Sequence, residues 1–415
     1  MEPNTSQRLL IFDLVTTGHH VNYMAQLVSF YRRHQLSVPV TLVVNRRFAE
    51  YYRYFSDSDV DFSPGEIEIL PITQAEEQEL TAPRRLLGKY VRYFKEWQLF
   101  CRYTEQLRAS HGLLMFFDTF RYPLLASLRR PACGFSGIYF RPTLHYGSFE
   151  GHSSSRKEIL AQQLEKILTA RLLRSPKLQS LFSLDPYAVE PLNRLSSSSK
   201  VMHLADPISI PQKKDHDSRR LREEMGIAPH RKTFFMFGTI NGRKGIYQLL
   251  EAVTQLPQPL HEKLCIIVAG KASPSEREKL AAAIAATRAS APQVQIIEKF
   301  EFLSDDDMQK YFEMSDVILA IYQKHVGMSG ILLQAAAYQK PVLGSNYGLM
   351  GEVISRYRLG LSIDSAVSQE VAAGLEKCIL GNPQNFCSPE TMETLVAENS
   401  SDLFAKKIFS ECCHL

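Results

Sequence analysis

The amino-acid sequence predicts an α/β protein made of two doubly wound domains with parallel sheets. The 415 residues exceed one typical domain and suit two domains of about 200 residues each. Short apolar runs alternate with amphipathic helices along the chain, as they do where buried parallel strands are joined by crossover helices. A proline-bearing, charged segment at residues 207–220, PISIPQKKDHDSRR, separates two such series and has the composition of a linker.

Seven strands are expected in the first half. The first, RLLIFDLV, runs into a segment with apolar residues at helical spacing, so Gly18, His19 and His20 fall in the strand-to-helix turn. Asp118 and Arg141 fall where the fourth and fifth strands end. The other six strands are VPVTLVVN, GEIEILPI, GLLMFFDTFRYP, ACGFSGIYFRPTL, LQSLFSLD and KVMHLAD.

One helix of the first half, at residues 156–173, has two distinct faces. Its charged residues Glu158, Glu165 and Lys166 are expected to face outward. An apolar stripe on the other face is expected to pack inward. The stripe comprises Ile159, Leu160, Leu164, Ile167, Leu168 and Leu172.

The second half repeats the alternation with five strands, namely TFFMFGTI, KLCIIVAG, VQIIEKF, DVILAIY and PVLGS. Helices follow each of them, and the remaining C-terminal sequence is also helical in pattern. The predicted domains are residues 1–208 and 209–390, with a C-terminal helix at 391–415. Two such domains present the carboxyl ends of their strands to one central cleft, where ligands are expected.

Composition points to an ordinary globular protein in a reducing compartment. The formal net charge is +4, and the seven cysteines are scattered without metal-ligand spacing. This pattern favours cytoplasmic residence, with neither a disulfide framework nor a metal site. No window has the length and apolarity of a membrane-spanning helix, so any membrane contact is expected to be peripheral.

A basic, aromatic segment between residues 84 and 102 leaves two alternatives open. Such a helix either packs on its own domain with a solvated basic face, or lies on an anionic membrane surface. Nucleic acid is not an expected partner. The segment's basic residues are Arg84, Arg85, Lys89, Arg92, Lys95 and Arg102, and its aromatic residues are Tyr90, Tyr93, Phe94, Trp97 and Phe100.

The most informative stretch is residues 318–361, ILAIYQKHVGMSGILLQAAAYQKPVLGSNYGLMGEVISRYRLGL. A buried strand leads into the loop Gly327, Met328, Ser329 and Gly330, and an apolar helix follows. Free N–H groups and the positive end of a helix dipole suit a ligand phosphate at such a loop. Ser329 is expected to cap the helix.

Four linked blocks in residues 231–363 resemble the nucleotide-sugar-binding domain of retaining glycosyltransferases with the GT-B fold. They are TFFMFGTINGRKGIYQLLEAV, KLCIIVAGK, VQIIEKFEFLSDDDMQKYFEMSDVILAIY and AAAYQKPVLGSNYGLMGEVI, in the family's order and approximate spacing. The resemblance implies two facing Rossmann-like domains, a nucleotide-sugar donor, and a terminal helix that crosses back to the first domain.

The resemblance also implies roles for individual residues. Gly238 and Lys244 match the glycine turn and the cation that holds the leaving diphosphate. Thr239 occupies the position where the family has another basic residue, and Arg243 is the candidate for that second charge. Cations and amides of this kind stabilise a departing diphosphate without a metal ion or other cofactor.

Further donor-side positions follow from the block AAAYQKPV. The family's two glutamates fall on Val326 and Gln334, of which Gln334 can bind a ribose hydroxyl, and His325 is the neighbouring candidate at the sugar. Phe302 lies where the family reads the base. Glu352 either shapes the ribose end of the pocket or caps its helix.

On the acceptor side, the resemblance places Gly18 and His19 in a turn that covers the donor diphosphate or meets the acceptor. Asp118 and His19 are the catalytic candidates there, and His145 is a weaker one. No carboxylate pair and no Asp-x-Asp motif stands out. Retaining transfer in this family needs neither, because the leaving phosphate accepts the acceptor's proton.

Three functions remain open on these grounds. The first is a glycosyltransferase, expected to move a hexosyl group with retention onto a lipid-linked or polysaccharide acceptor in glycan biosynthesis. The second is a catalytically inactive interaction protein that binds nucleotide sugar, which Val326 and Thr239 favour. The third is an epimerase on the same fold, which the order of the blocks disfavours.

Overall fold

The computed structural model describes residues 8–16, 20–52, 67–80, 88–149, 154–196, 200–208, 217–301 and 303–413. The chain divides into two compact units. Unit 1 comprises Met1–His145, Ser154–Pro207 and Ser400–Leu415, and unit 2 comprises Tyr146–Ser153 and Ile208–Asn399. Gly18, His19 and Phe302, three of the predicted site residues, lie outside the described residues.

Unit 1 contains a seven-stranded parallel sheet with the order β3-β2-β1-β4-β5-β6-β7. Its strands are β1 Leu9–Asp13, β2 Val40–Val44, β3 Ile67–Pro71, β4 His111–Leu114, β5 Gly134–Tyr139, β6 Leu178–Ser183 and β7 Val201–His203. Its first seven helices are α1 His20–Arg33, α2 Phe48–Tyr52, α3 Gln74–Leu80, α4 Gly88–Gln106, α5 Arg121–Ala126, α6 Arg156–Leu173 and α7 Val189–Asn193.

The strand order reverses beside β1, because β2 and β3 extend the sheet on one side while β4 to β7 extend it on the other. Right-handed crossovers therefore place α4, α5 and α6 on one face of the sheet and α1 on the opposite face. All seven strands predicted for the first half are present. Ring contacts of Phe100 with Phe12, Trp97 and Phe135 at 5.5 to 6.0 Å lie in the core.

The basic, aromatic segment forms α4, and the inner side of this helix is part of the core. Trp97 and Phe100 are fully buried. Arg92 pairs with Glu96 at 2.7 Å, and Arg102 lies 3.4 Å from Glu76. The inner side of helix α4 thus packs on its own domain, and basic residues on its outer side, such as Lys89 and Arg92, are exposed. Arg84 and Arg85 lie outside the described residues.

Helix α6 has the predicted bounds, but the predicted orientation of its faces is wrong except near its C-terminal end, where Leu172 is buried as expected. Ile159, Leu160, Leu164 and Ile167 are 48 to 72% exposed. Glu165, expected to face outward, is buried and accepts hydrogen bonds from the Tyr139 hydroxyl and the Thr143 N–H. Hydrogen bonding to the carboxylate offsets its desolvation, so the polar side of the helix can face inward.

Unit 2 contains a six-stranded parallel sheet with the order β10-β9-β8-β11-β12-β13. The strands are β8 Lys232–Phe237, β9 Leu264–Ala269, β10 Gln295–Lys299, β11 Val317–Ala320, β12 Val342–Ser345 and β13 Gly360–Ile363. The helices are α8 Ser218–Glu224, α9 Ile246–Gln255, α10 Gln258–His261, α11 Pro274–Ser290, α12 Asp305–Met314, α13 Gly330–Ala337, α14 Gly348–Arg356, α15 Ser368–Leu380 and α16 Pro389–Glu398.

Three short elements of unit 2 are not predicted by the sequence pattern: α8, α10 and β13. The segment predicted as one C-terminal helix contains most of α16 and a separate final helix, α17 Ser401–Cys413, which belongs to unit 1. Phe404 and Phe409 of α17 are buried, and their rings lie 5.2 Å from Tyr23 and 6.0 Å from Phe30 of α1. Arg33 of α1 forms an ion pair with Asp402 at 2.5 Å.

The described helices include none that is long and apolar enough to cross a membrane. All seven cysteines are buried free thiols. Burial raises the pKa of several of these thiols, that of Cys265 to about 12, and a buried thiol with a raised pKa is unreactive.

Candidate functional site

The carboxyl edge of the unit 2 sheet carries most of the predicted donor residues. Strands β8 and β11 are neighbours there, with β9 and β10 on one side and β12 and β13 on the other. The direction of chain winding therefore reverses between β8 and β11. Such a reversal opens a crevice at the carboxyl ends of the strands, where ligands bind in doubly wound sheets.

Lys244 lies at this reversal because two glycines shape the turn after β8. Gly238 has φ 115° and Gly245 has φ 79°, values that favour glycine. A Cβ atom at Gly238 would lie 3.0 Å from the Lys244 Nζ, so the missing side chain makes room for the ammonium. Asn241 caps the intervening 3₁₀ turn by accepting a hydrogen bond from the Arg243 N–H at 3.1 Å.

Tyr322, which follows β11, holds the Lys244 side chain. The Lys244 ammonium donates a hydrogen bond to the Tyr322 hydroxyl and lies 4.0 Å from the centroid of its ring. The His325 ring contacts the same ring edge-on at 5.3 Å. The described partner of Lys244 is thus a phenol and not a carboxylate, which leaves its positive charge available to an anion.

The glycine loop before α13 presents backbone N–H groups at the same edge. Gly327 has φ 93°, and its N–H donates to the Tyr146 hydroxyl at 2.9 Å. The N–H groups of the next three residues, Met328 to Gly330, find no hydrogen-bond partner among the described residues. Three free donors at a helix N-terminus suit a phosphate. The capping expected of Ser329 is wrong, since its side chain makes no capping hydrogen bond.

Tyr146 supports a second glycine loop besides that of Gly327. Its ring packs on Gly348, where a Cβ atom would lie 2.4 Å from the ring. Gly348 has φ 56° and begins α14. Tyr146 is 1% exposed. Sequence reasoning missed this residue, because nothing local to HYGSF connects it to loops about 180 and 200 residues away.

Hydrogen bonds between side chains and loop backbones fix the strand ends relative to one another. The Ser365 hydroxyl, after β13, donates to the Tyr322 carbonyl at 2.9 Å and accepts a hydrogen bond from the Ser345 hydroxyl at 3.0 Å. The Gln323 amide donates to the Ser365 carbonyl at 2.7 Å. The carboxyl ends of β11, β12 and β13 are therefore tied together beneath Lys244.

Other predicted donor residues have clear positions. Arg243 and Thr239 are exposed on the turn after β8. The partly buried Gln334 amide lies 3.6 Å from the Met308 sulfur of α12. Glu352 does not cap α14, because the helix begins four residues earlier, and it instead pairs with Arg356 one turn on at 3.1 Å.

The carboxyl edge of the unit 1 sheet carries a separate set of polar residues. Asp13 at the end of β1 pairs with the His20 Nδ1 at 2.6 Å, and the His20 ring stacks on Phe140 at 5.8 Å. Sequence reasoning placed His20 in this turn but missed its carboxylate partner. An aspartate at the end of a strand, followed by a histidine at the first position of the next helix, is the sequence signal that could have revealed this pair.

Asp118 and His145 have structural partners. The Asp118 carboxylate accepts a hydrogen bond from the Phe140 N–H at 2.9 Å and so links the ends of β4 and β5. Burial raises the pKa of Asp118. His145 pairs with Asp185 at 2.9 Å, both side chains being buried. Arg141 is exposed, with its guanidinium 5.5 Å from the Phe116 ring.

A small cavity of about 150 Å³ lies beside Asp13, between the end of β1 and α4. Its lining includes Arg92, Tyr93 and Glu96 from α4 and Thr119 after β4. Burial raises the pKa of Glu96 despite its pairing with Arg92. Charged and aromatic groups thus meet at the unit 1 edge as well. Over the described residues there is no cluster of three or more metal-ligating side chains.

Residues 217–390 match the family model described as Glycosyl transferases group 1. This part of the chain, somewhat less than half of it, is similar to glycosyl transferases group 1 domains. It contains the whole carboxyl edge described for unit 2, including Lys244 and the glycine loops. The resemblance of the four sequence blocks to a group 1 glycosyltransferase domain is confirmed.

A curated relative and several solved structures are similar to larger parts of the chain. YtcC of Bacillus subtilis (strain 168) is 25% identical over 264 residues, which are 63% of this chain and 62% of YtcC. The match thus spans less than two thirds of that relative. Anabaena HepE, solved in complex with UDP and glucose, is 14% identical, with 99% of this chain and 100% of HepE covered and a TM-score of 0.65.

Two more solved structures are similar to this chain over almost its whole length. Sucrose-phosphate synthase from Thermosynechococcus elongatus is 13% identical, with 97% of each chain covered and a TM-score of 0.67. WaaG, a glycosyltransferase involved in lipopolysaccharide biosynthesis, is 16% identical, with 98% of this chain and 99% of WaaG covered and a TM-score of 0.61. The predicted fold class, two doubly wound α/β domains of the GT-B type, is confirmed.

Proposed function

We propose that the protein is a retaining glycosyltransferase that moves a hexosyl group from a nucleotide-sugar donor to a lipid-linked or polysaccharide acceptor. The observation that carries the proposal is the position of Lys244, a cation at the winding reversal of a group 1 domain. HepE, which shares the fold, was solved with UDP and glucose, and this supports a nucleotide-sugar donor.

In this mechanism the donor diphosphate lies between Lys244 and the free N–H groups of Met328, Ser329 and Gly330. These donors are already oriented by Tyr322 and by helix α13 before the donor binds. Pre-oriented donors stabilise the charge that develops as the sugar leaves, at little reorganisation cost. Exposed Arg243 supplies a second cation, and His325 beside Tyr322 faces the sugar.

Retention of configuration follows when the leaving phosphate takes the acceptor's proton on the face from which it departs. No protein carboxylate is needed as a nucleophile in that sequence of events. Among the unit 1 residues, His19 and Asp118 remain the proposed acceptor-side groups, and Gly18 the donor-side turn. The proposal requires neither a metal ion nor another cofactor. It also includes residence in the cytoplasm with a peripheral membrane contact, as a lipid-linked acceptor demands.

The alternative function is a nucleotide-sugar-binding interaction protein without turnover. Val326 and Thr239, at positions where the family has a carboxylate and a cation, favour it. Incubation of the purified protein with UDP-, GDP- and ADP-hexoses distinguishes the two functions. An active enzyme releases nucleoside diphosphate from one donor, and proton NMR shows the retained anomer of the sugar. A donor that raises the melting temperature without being cleaved supports the alternative.

A further inference from the structure

Unit 1 has an unusual concentration of exposed apolar side chains on one side of its sheet. Of the eight large apolar residues that are exposed among the described residues of unit 1, seven lie on α4, α5, the turn after α5, or α6. These elements pack side by side, α4 on α5 and α5 on α6. The seven are Val91, Tyr122, Leu128, Ile159, Leu160, Leu164 and Ile167.

The orientation of α6 is fixed from its buried side. Glu165 accepts hydrogen bonds from the Tyr139 hydroxyl, the Thr143 N–H and the Thr143 hydroxyl, and Thr169 is fully buried one turn later. Rotation of the helix to bury its aliphatic side chains would expose the Glu165 carboxylate and break the hydrogen bonds that it accepts from Tyr139 and Thr143. The outward-facing aliphatic residues are therefore a stable feature of the folded unit.

Cations border the aliphatic residues of α6 at both ends. Two arginines lie on the same side of the helix as two of the exposed aliphatic residues, because the four follow one another at helical spacing: Arg156, Leu160, Ile167 and Arg171. The exposed cations near the two ends of the helix are Arg156, Lys157, Arg171 and Arg174. The only two acidic residues of α6 face elsewhere, since Glu158 forms the capping box with Ser155 and Glu165 is buried.

The cations in the first turn act against the helix dipole. Arg156 and Lys157 stand at the positive end of α6, where carboxylates are favoured and cations are not. The capping box of Ser155 and Glu158 secures that end instead. Folding of the helix thus gives no reason for the two cations, whereas binding of an anionic surface does.

We infer that the outer side of α4, α5 and α6 is a docking surface for an anionic lipid bilayer. Aliphatic side chains of α6 enter the interfacial region, and the flanking Arg and Lys residues contact lipid phosphates. A second copy of the chain fits less well, because a symmetric pairing through this surface would bring its cations together.

The docking surface specifies where the peripheral membrane contact of the proposed function takes place, and in that respect it rests on the proposed function. It does not depend on the proposed donor chemistry. Arg92 and Tyr93 of α4 also line the 150 Å³ cavity beside Asp13. A bilayer on this side of unit 1 therefore lies next to the rim of that cavity, within reach of a lipid-linked acceptor.

Sedimentation with large unilamellar vesicles tests the inference. The wild-type protein is expected to pellet with phosphatidylglycerol/phosphatidylcholine vesicles and much less with pure phosphatidylcholine. Leu160→Gln/Ile167→Gln should lower the fraction bound at least about tenfold. A matched double variant, Leu380→Gln/Leu403→Gln, removes two aliphatic residues that are 62 and 47% exposed elsewhere and should bind as the wild type does.

The contribution of the flanking cations to vesicle binding is tested in the same way. Arg156→Gln/Arg171→Gln should weaken binding to anionic vesicles severalfold, whereas Arg219→Gln/Lys263→Gln, which removes as much charge from unit 2, should not. All four double variants change exposed side chains, and unchanged melting temperatures confirm that they fold.

Three results would overturn the inference. The first is a wild-type protein that does not pellet with anionic vesicles. The second is equal loss of binding in the matched controls. The third is a dimer, detected by light scattering, that Leu160→Gln/Ile167→Gln dissociates without any vesicle binding. Donor affinity, measured on the same variants, should not change. A protein that pellets but binds no nucleotide sugar would refute the proposed function and leave the docking surface standing.

Discussion

The Tyr146 hydroxyl accepts a 2.9 Å hydrogen bond from the N–H of Gly327, across 181 residues of sequence. The same ring fills the space beside Gly348 that a side chain would otherwise need. One buried tyrosine thus holds both glycine loops at the carboxyl edge of the unit 2 sheet. The distance of these loops from Lys244 sets the size of the proposed diphosphate site.

Replacement of Tyr146 by phenylalanine isolates the hydroxyl. Tyr146→Phe keeps the ring on Gly348 but leaves the Gly327 N–H without its acceptor in a buried place, which should cost about 1 to 3 kcal/mol of unfolding free energy. Chemical denaturation measures this loss. Tyr357→Phe, which removes a hydroxyl bonded to Glu398 in an exposed position, should cost less than about 0.5 kcal/mol. If both variants lost the same unfolding free energy, the hydrogen bond to Tyr146 would stabilise the protein no more than an exposed hydrogen bond does.

Gln334 tests the proposed ribose site. If its amide binds a ribose hydroxyl, Gln334→Leu should weaken donor binding by about 1 to 3 kcal/mol. Gln334→Glu should then be tolerated, because a carboxylate can also accept a hydrogen bond from the ribose hydroxyl. If the contact with Met308 is its only role, the leucine variant is harmless and the buried charge of the glutamate variant is costly. Donor affinity and melting temperature of both variants decide between the two.

Removal of metal ions tests whether the cations of the protein are sufficient to stabilise the leaving diphosphate. Lys244, Arg243 and the amides of residues 328–330 are proposed to stabilise the diphosphate, so EDTA should leave the rate of donor cleavage within about twofold of the untreated rate. The measurement is nucleoside diphosphate release before and after chelation, with Mg²⁺ or Mn²⁺ added back as the control. A rate that vanishes with EDTA and returns with one metal would contradict the cofactor-free mechanism.

The ion pair between Arg33 and Asp402 gives a pH dependence to the attachment of α17. The hydrogen bond from Arg33 holds the pKa of Asp402 below its ordinary value. A carboxyl with a lowered folded-state pKa stabilises the protein above its ordinary pKa of about 3.9, and this contribution is lost as the pH falls through the folded-state value.

Both side chains are half exposed, so the pair should contribute less than about 1 kcal/mol. Asp402→Asn should therefore lower the unfolding free energy slightly at pH 7. Urea denaturation of the variant and the wild type should show this difference shrinking between pH 5 and pH 3. A difference that stays constant over that range would exclude the ion pair as its cause.

Much of the fold can be predicted from the sequence, since continuous apolar strands such as LLIFD of β1 and LCIIVA of β9 carry a strong local signal. The elements that escape prediction have weak signals. β13 has four residues, none of them fully buried, and α8 has no buried side chain.

The faces of α6 could not be assigned from periodicity. An apolar stripe at helical spacing predicts burial of that stripe, but the hydrogen bonds to Glu165 come from Tyr139 and Thr143, more than 20 residues away. Local pattern holds no information on such a partner. The same limit applies to the candidate site, where Gly238 and Lys244 stand in a recognisable block but the position of Tyr146 depends on partners about 180 residues away.

The central claim is that the Lys244 ammonium stabilises the leaving diphosphate, and the rate of donor cleavage by Lys244→Met tests it most directly. Methionine keeps most of the side-chain volume and removes the charge. Lys263→Met is the matched control, because Lys263 is exposed beside the amino end of β9, at the opposite edge of the sheet. With the best nucleotide sugar from the donor panel, we expect the Lys244 variant to lose about 2 to 4 kcal/mol of transition-state stabilisation, roughly a 30- to 1000-fold slower rate. The melting temperature should stay close to that of the wild type, and the Lys263 variant should be fully active. Near-normal donor cleavage by a folded Lys244→Met protein would contradict the account.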